Sequence, residues 1–215
     1  MKLQSHSKLV MIGDSITDAG RAQPVGEGLF DALGRGYVSL VDALLGAAYP
    51  DLGVRVVNMG TGGHTVRDLA ARWQTDVLDL QPDWLSVMIG TNDVWRQFDS
   101  PGRPEQHVPP DEYARTLDAL VAQARPIVQG LVLMTPFYIE PNRADAMRAR
   151  MDEYGALVRG VAAQHGALFV DTQAAFDAVL TSYYPATLAW DRVHPTLTGH
   201  TVLARAFLNA VDFEW

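Results

Sequence analysis

Residues 8–13 read KLVMIG, and the stretch that follows them, GDSITDAG at 13–20, changes character at once. A short apolar run of Val, Ile, Leu and Met closed by a glycine reads as a β-strand. The run does not alternate polar with apolar residues, so both of its faces are covered, as in a parallel sheet flanked by helices. Four further runs share this pattern: VRVVNMG (54–60), WLSVMIG (84–90), GLVLMTP (130–136) and ALFVDT (167–172). Between them, YVSLVDALLGAAY (37–49), DEYARTLDALVAQAR (111–125), MRARMDEYGALVRGVAAQH (147–165) and LTGHTVLARAFLNAV (197–211) repeat apolar residues at three- and four-residue spacing, the signature of amphipathic helices. Asp111, behind Pro109 and Pro110, is placed to cap the second of these helices. The strand–helix alternation predicts an α/β fold, a three-layer α/β/α sandwich around a parallel sheet of about five strands. The 215 residues fit a single domain spanning 1–215.

Composition narrows the function classes. Hydrophobic residues make up 48% and charged residues 20%, enough apolar material for a sizeable core. Lys and Arg total 17 against 25 Asp and Glu, a formal net charge of −8. That balance argues against nucleic acid and anionic membrane as partners, because both need a basic footprint. There is no cysteine, so disulfides, thiolate metal sites and a cysteine nucleophile are excluded. The apolar run near the N-terminus, 9–13, is too short for a secretory leader, and no segment approaches the ~18 apolar residues of a membrane span. The expectation is a cytoplasmic protein.

Ligands of open α/β sheets bind beyond the carboxyl ends of the strands. The residues after the first four runs are GDSITDAG, NMGTGGHT, GTNDVW and TPFYIEPN, all polar or rich in Gly and Pro. The connections 17–35 and 95–110 are long enough to form lids or rims. Gly60, Gly62 and Gly63 suggest a dinucleotide loop, but Thr65 stands where the third glycine belongs, and no cofactor is expected. What such glycines do offer is backbone N–H groups that can hold an oxyanion. Asp14, Asp93, Asp191 and His194 could approach a metal, yet no pair of histidines has ligand spacing, and no metal is predicted. Two carboxylates flanking a glycosidic bond remain an open alternative.

The other chemistry is nucleophilic. Ser15 follows the first strand, where a tight turn into a helix would expose its hydroxyl; that hydroxyl needs a base to become a nucleophile. The stretch DRVHPT (191–196) supplies one in His194, with Asp191 three residues earlier to hold the ring's other N–H. Pro195 keeps this pair on a turn rather than in a helix. Each residue also has a plainer role. Ser15 could be a helix N-cap, Asp191 and His194 a turn-stabilising pair, and Gly63 and Asn92 simple turn formers. All of them nevertheless fall where strand-end loops should converge.

Taken together, the blocks IGDSITDAGR (12–21), NMGTGGHTVRDLAARW (58–73), GTNDVW (90–95) and DRVHPTLTGH (191–200) resemble those of the SGNH, or GDSL-type, hydrolase family, in the right order and over nearly the whole chain. The resemblance implies the flavodoxin-like fold of that family. It also implies Ser15 as nucleophile, His194 as base and Asp191 as its orienting acid. The oxyanion hole would consist of the Ser15 and Gly63 N–H groups and the Asn92 amide. Gly62 departs from the Ser often found before that second glycine. Longer strings, among them GDSITDAGRAQPVGEG, MIGTNDVWRQFD and LAWDRVHPTLTGH, resemble the bacterial intracellular acetylxylan esterases within the family. The implied reaction is removal of O-acetyl groups from xylo-oligosaccharides through an acetyl-enzyme; the alternative is an esterase or thioesterase for longer acyl chains. Trp95, Arg96, Tyr138, Tyr184 and Trp190 are candidates for a sugar-binding rim, with core packing or subunit contact as the plainer reading. The cluster SYYPATLAW (182–190) predicts a homo-oligomer.

Overall fold

Strand β1 (Lys8–Gly13) pairs in parallel with β2 (Arg55–Gly60) on one side and with β3 (Trp84–Met88) on the other. In this computed structural model, which describes residues 1–215, β4 (Gly130–Met134) and β5 (Leu168–Val170) continue the sheet beyond β3. The strand order is therefore β2-β1-β3-β4-β5, all parallel. Every residue of β3 and β4 is buried, as the unbroken apolar runs require. The chain first moves outward from β1 to β2, then returns past β1 to β3 and proceeds the other way. The direction of winding thus reverses between β1 and β3, and a crevice opens at their carboxyl ends.

Helices cover both faces. On one, α2 (Tyr37–Ala48) packs on α9 (Leu197–Ala210), which also meets α7 (Thr172–Leu180). On the other, α5 (Pro110–Ala124) lies between α3 (Val66–Trp73) and α6 (Ala146–His165), and α4 (Thr91–Asp99) meets α6. Two single-turn helices, α1 (Ser15–Asp18) and α8 (Pro185–Leu188), belong to the site end. Fifty-four buried apolar residues form one continuous cluster between these layers. The three-layer α/β/α sandwich with a five-stranded parallel sheet agrees with the sequence expectation.

Several local expectations change. Helix α5 starts at Pro110, with Pro109 in the extended conformation as its N-cap, so Asp111 lies inside the first turn. Proline suits that first position because it has no N–H to leave unpaired and its φ is already helical. Strands β3 and β4 stop at Met88 and Met134, two residues before the apolar runs end. The connection 95–110 is not all loop: α4 runs on to Asp99, and a 3-10 turn spans Pro104–Gln106.

One close approach sets the height of the site. A Cβ on Gly60 would stand 2.1 Å from the Asp18 backbone nitrogen, so only glycine lets the α1 turn rest on the end of β2.

Candidate active site

The turn that leaves β1 is capped by Asp14, not by Ser15. The Asp14 carboxylate accepts the Ile16 N–H at 3.0 Å and satisfies the start of α1. Ser15 keeps its hydroxyl for other use. Its Oγ lies 2.9 Å from His194 Nε2, and His194 Nδ1 lies 2.6 Å from Asp191 Oδ2. The second carboxylate oxygen of Asp191 accepts the backbone N–H groups of Val193 (3.0 Å) and His194 (2.8 Å). A ring that donates from Nδ1 to a carboxylate presents a lone pair at Nε2, the atom facing Ser15. Burial works against ionisation of Asp191, but the hydrogen bonds from the His194 ring and the two N–H groups outweigh it and hold the carboxyl below the usual range. Between these residues, Arg192 adopts φ +64°, a left-handed conformation that a side chain of this size seldom takes. It is held there by an ion pair with Glu140 and by the Ile139 N–H, which donates to Arg192 O at 2.9 Å.

The loop 61–65 runs from β2 past Ser15 to α3. A Cβ on Gly62 would be 3.9 Å from Ser15 Cβ. The Gly62 N–H donates to Asp18 Oδ2 at 3.2 Å, whereas the N–H groups of Gly63 and of Ser15 have no hydrogen-bond partner within the protein. Gly63 has φ +79°, open to glycine and strained for other residues. Asn92, buried in the first turn of α4, donates from Nδ2 to His64 O at 3.0 Å; an amide nitrogen carries two hydrogens, so a second is available.

Three further side chains hold this loop. Arg72 donates from Nε to His64 Nδ1 (3.1 Å) and from its terminal nitrogens to Met59 O (2.6 Å), Gly13 O (2.8 Å) and Asp76 (2.8 Å). Asp68 closes a capping box with Thr65, accepting its N–H and hydroxyl at 2.8 Å each. Asp93 accepts the Val66 N–H through Oδ1 at 3.0 Å, while its Oδ2 is buried without a partner. Burial, the largest effect in each case, pushes the Asp14 carboxyl up to about 6 and that of Asp93 up to about 7. Burial, with the Arg72 charge second, lowers the pKa of His64, leaving its Nδ1 an acceptor. His200, buried behind α1 and accepting the Tyr37 N–H at 3.2 Å, is held at about 4 by burial and then by His194.

The rim candidates divide. The Trp95 ring centre is 5.7 Å from that of His194, and the Arg96 guanidinium lies 5.3 Å over the Trp95 ring. Tyr138 is half-buried on the segment whose next residue, Ile139, binds Arg192 O. Tyr184 and Trp190 are 71% and 89% exposed. Asp18 and Arg72 had no expected role, and Asp93 was weighed only as one of four residues that could approach a metal, although all three lie inside the quoted blocks. Each reaches backbone of another segment, the Gly62 N–H for Asp18, Gly13 O and Met59 O for Arg72 and the Val66 N–H for Asp93, which no residue spacing reveals.

A hydroxyl, an imidazole and a carboxylate in one hydrogen-bonded chain, beside two unspent backbone donors and an amide, can perform acyl transfer. Comparison with known proteins points the same way. The model of the GDSL-like Lipase/Acylhydrolase family matches residues 11–202. An acetylxylan esterase from Geobacillus stearothermophilus is 60% identical over 215 residues, covering 100% of this chain and 98% of that protein. The crystal structure of Axe2, an acetylxylan esterase from Geobacillus stearothermophilus, superposes with a TM-score of 0.99 at 60% identity over 100% of this chain and 98% of that one. LAE5, an alpha/beta hydrolase enzyme from the metagenome of Lake Arreo, Spain, gives 0.98 at 59% identity over 99% and 98%.

Proposed function

The chain belongs to the GDSL-like lipase/acylhydrolase family, and on that premise we propose that Ser15, His194 and Asp191 transfer the acetyl group of acetylated xylo-oligosaccharides to water. It is a carboxylic ester hydrolase with the activity of an acetylxylan esterase. The observation that carries the residue roles is the hydrogen-bonded chain from Ser15 Oγ through His194 to Asp191, at 2.9 and 2.6 Å.

In the first half of the cycle His194 Nε2 takes the Ser15 proton as Oγ bonds to the acetyl carbon. The carbonyl π pair moves onto its oxygen. Asp191 holds Nδ1–H and stabilises the imidazolium. The oxyanion is received by the Ser15 N–H, the Gly63 N–H and the Asn92 amide; the unspent state of the two backbone donors supports this assignment over Gly62, whose N–H is taken by Asp18. When the tetrahedral centre collapses, the C–O bond to the sugar breaks and His194 returns its proton to the departing hydroxyl. Water, deprotonated by the same imidazole, then attacks the acetyl-enzyme; the bond to Ser15 Oγ breaks, the oxygen takes the proton back from His194, and acetate leaves. No step calls for a cofactor or metal.

A substrate with a longer acyl chain would need an apolar groove at the site, but the cleft beside Gly63 has no apolar side chain in its walls. Trp95 and Arg96, at the triad, form the near part of the sugar rim in this reading, and Tyr138 an outer part. The exposed Tyr184, Trp190, Leu29 and Phe30 favour association of copies of this chain into a homo-oligomer. No helix is long and apolar enough to cross a membrane.

The test is acetate release from acetylated xylo-oligosaccharides by the wild type and by Ser15→Ala. Release by the wild type alone is expected. Equal release by both would remove Ser15 from the chemistry, and release by neither would remove the substrate class.

A further inference from the structure

Beside Gly63 lies a cleft of about 400 Å³ whose walls include Arg67, Asp68, Arg96, Glu105 and Gln106. This volume lies within the usual range of small-molecule sites, which are mostly apolar, yet no apolar side chain lines this one. With the ion-pair partners of its two arginines included, two guanidinium groups face four carboxylates: Asp68, Asp99, Glu105 and Glu112. Such a surface repels an acyl chain for want of apolar contact and an anionic ligand for want of net positive charge. A neutral polyhydroxyl ligand meets neither objection.

The far wall is built to hold its shape. Arg67 donates to Glu105 O (2.9 Å), to His107 O (3.0 Å) and to Glu112 Oε2 (2.7 Å), so the turn Pro104–Gln106 is tied to α3 and α5. His107 Nε2 closes the same segment on Ser100 O at 3.0 Å. These bonds use the backbone of Glu105. The Glu105 carboxylate and the Gln106 amide have no hydrogen-bond partner within the protein, and both border the cleft. A pinned loop that presents two unspent polar side chains to a cleft that Gly63 also borders has the form of a recognition wall.

Given the reading of the substrate above, on which this rests, we infer that the cleft is the saccharide subsite. The acetylated sugar sits at Ser15, and the neighbouring xylose units run past Gly63 towards the 3-10 turn. There Glu105 accepts hydrogen bonds from sugar hydroxyls, and the Gln106 amide donates to one and accepts from another. Arg96, which lines the cleft and lies over the Trp95 ring, joins it to the aromatic side chain beside His194.

The experiment compares Glu105→Ala, Gln106→Ala and the double variant with the wild type on two acetyl donors, acetylated xylotriose and 4-nitrophenyl acetate. Both donors form the same acetyl-enzyme, but only the first can reach the turn. The ratio of kcat/KM for the trisaccharide to that for the aryl ester is expected to fall about tenfold or more in the double variant, mainly through KM, as lost hydrogen bonds to a charged acceptor imply. An unchanged ratio overturns the subsite. So does a parallel fall on both donors, because the loop would then act on the catalytic geometry. A wild type that hydrolyses the aryl ester but not acetylated xylotriose overturns the substrate reading itself, and the subsite with it. Glu105→Gln, which keeps the size and one acceptor oxygen, is expected to fall between the wild type and Glu105→Ala.

Discussion

Replacing Asp93 by Asn tests the electrostatics under the site. In the folded protein the carboxyl is pushed up to about 7 by burial, against 3.8 for the free group. Between these two values the unfolded chain has released a proton that the folded one keeps. Stability is therefore greatest below the lower value, declines as pH rises and levels off above the upper one. At about 1.4 kcal/mol per pH unit, Asp93 costs under about 2 kcal/mol at pH 5 and about 4 kcal/mol at pH 8. Asn keeps the oxygen that accepts the Val66 N–H, replaces one unpartnered polar atom by another and does not titrate. Asp93→Asn should accordingly stabilise the protein by about 2–3 kcal/mol more at pH 8 than at pH 5, a Tm difference of about 5–10 °C for a chain of this size. Urea or thermal unfolding of both proteins at the two pH values measures this. A stabilisation equal at both, or larger at pH 5, would refute the argument that Asp93 is protonated in the fold. Asp93→Ala serves as the contrast, since it leaves the Val66 N–H buried and unpaired at every pH, at a cost of about 1–3 kcal/mol.

Asn92→Ala removes one proposed oxyanion donor together with the hydrogen bond to His64 O; kcat should fall by about 10²–10³, with the fold intact by circular dichroism, and wild-type turnover would exclude the amide from the oxyanion hole. Light scattering at micromolar concentration should give a mass that is a multiple of 23.5 kDa, and a monomer would show that the exposed Tyr184, Trp190, Leu29 and Phe30 serve another purpose.

The layers were legible because the apolar runs of β1, β3 and β4 are short, β-branched and closed by glycine or proline, as strands covered on both faces are, and the three- and four-residue spacing of α2, α5, α6 and α9 fits a helix. Element ends were less so. Asp14 and Ser15 are adjacent and both cap helices well; in the fold the Asp14 carboxylate takes the Ile16 N–H and Ser15 projects towards His194. Asp111 and Pro110 posed the same problem, and Pro110 took the first helical position. In the site, Ser15, Asp191 and His194 were readable from residue type and from the turn that Pro195 enforces. That β1 and β3 are neighbours, so that the loops carrying Ser15 and Asn92 leave the same end of adjacent strands, came only through the family resemblance and not from spacing. Strand order comes from tertiary packing, and the chain passes through β2 before reaching β3.

The same neighbour relation explains why so much of the structure converges on five residues without regular secondary structure. The loop 61–65 has no ladder to fix it, yet in the proposed reaction the Gly63 N–H has to point where charge appears. Donors aimed in advance stabilise that charge without reorganising; donors that must first be ordered lose part of the gain. The fold supplies the aim from outside the loop: Asp18 on Gly62, Asn92 and Arg72 on His64, Asp93 on Val66. Arg72 also binds Gly13 O and Met59 O, so the residue that orients His64 is tied to the strand that carries Ser15. The arrangement costs stability at several points: two unspent backbone donors, two buried carboxyls and Arg192 at φ +64°. All of these lie within the crevice or the turn that closes it, while the sheet beneath is continuous and its central strands are buried. A core of that kind can carry the strain because none of it falls on the strands. For the same reason, substitutions among the clamping side chains should couple with one another far more than with any change in the outer helices.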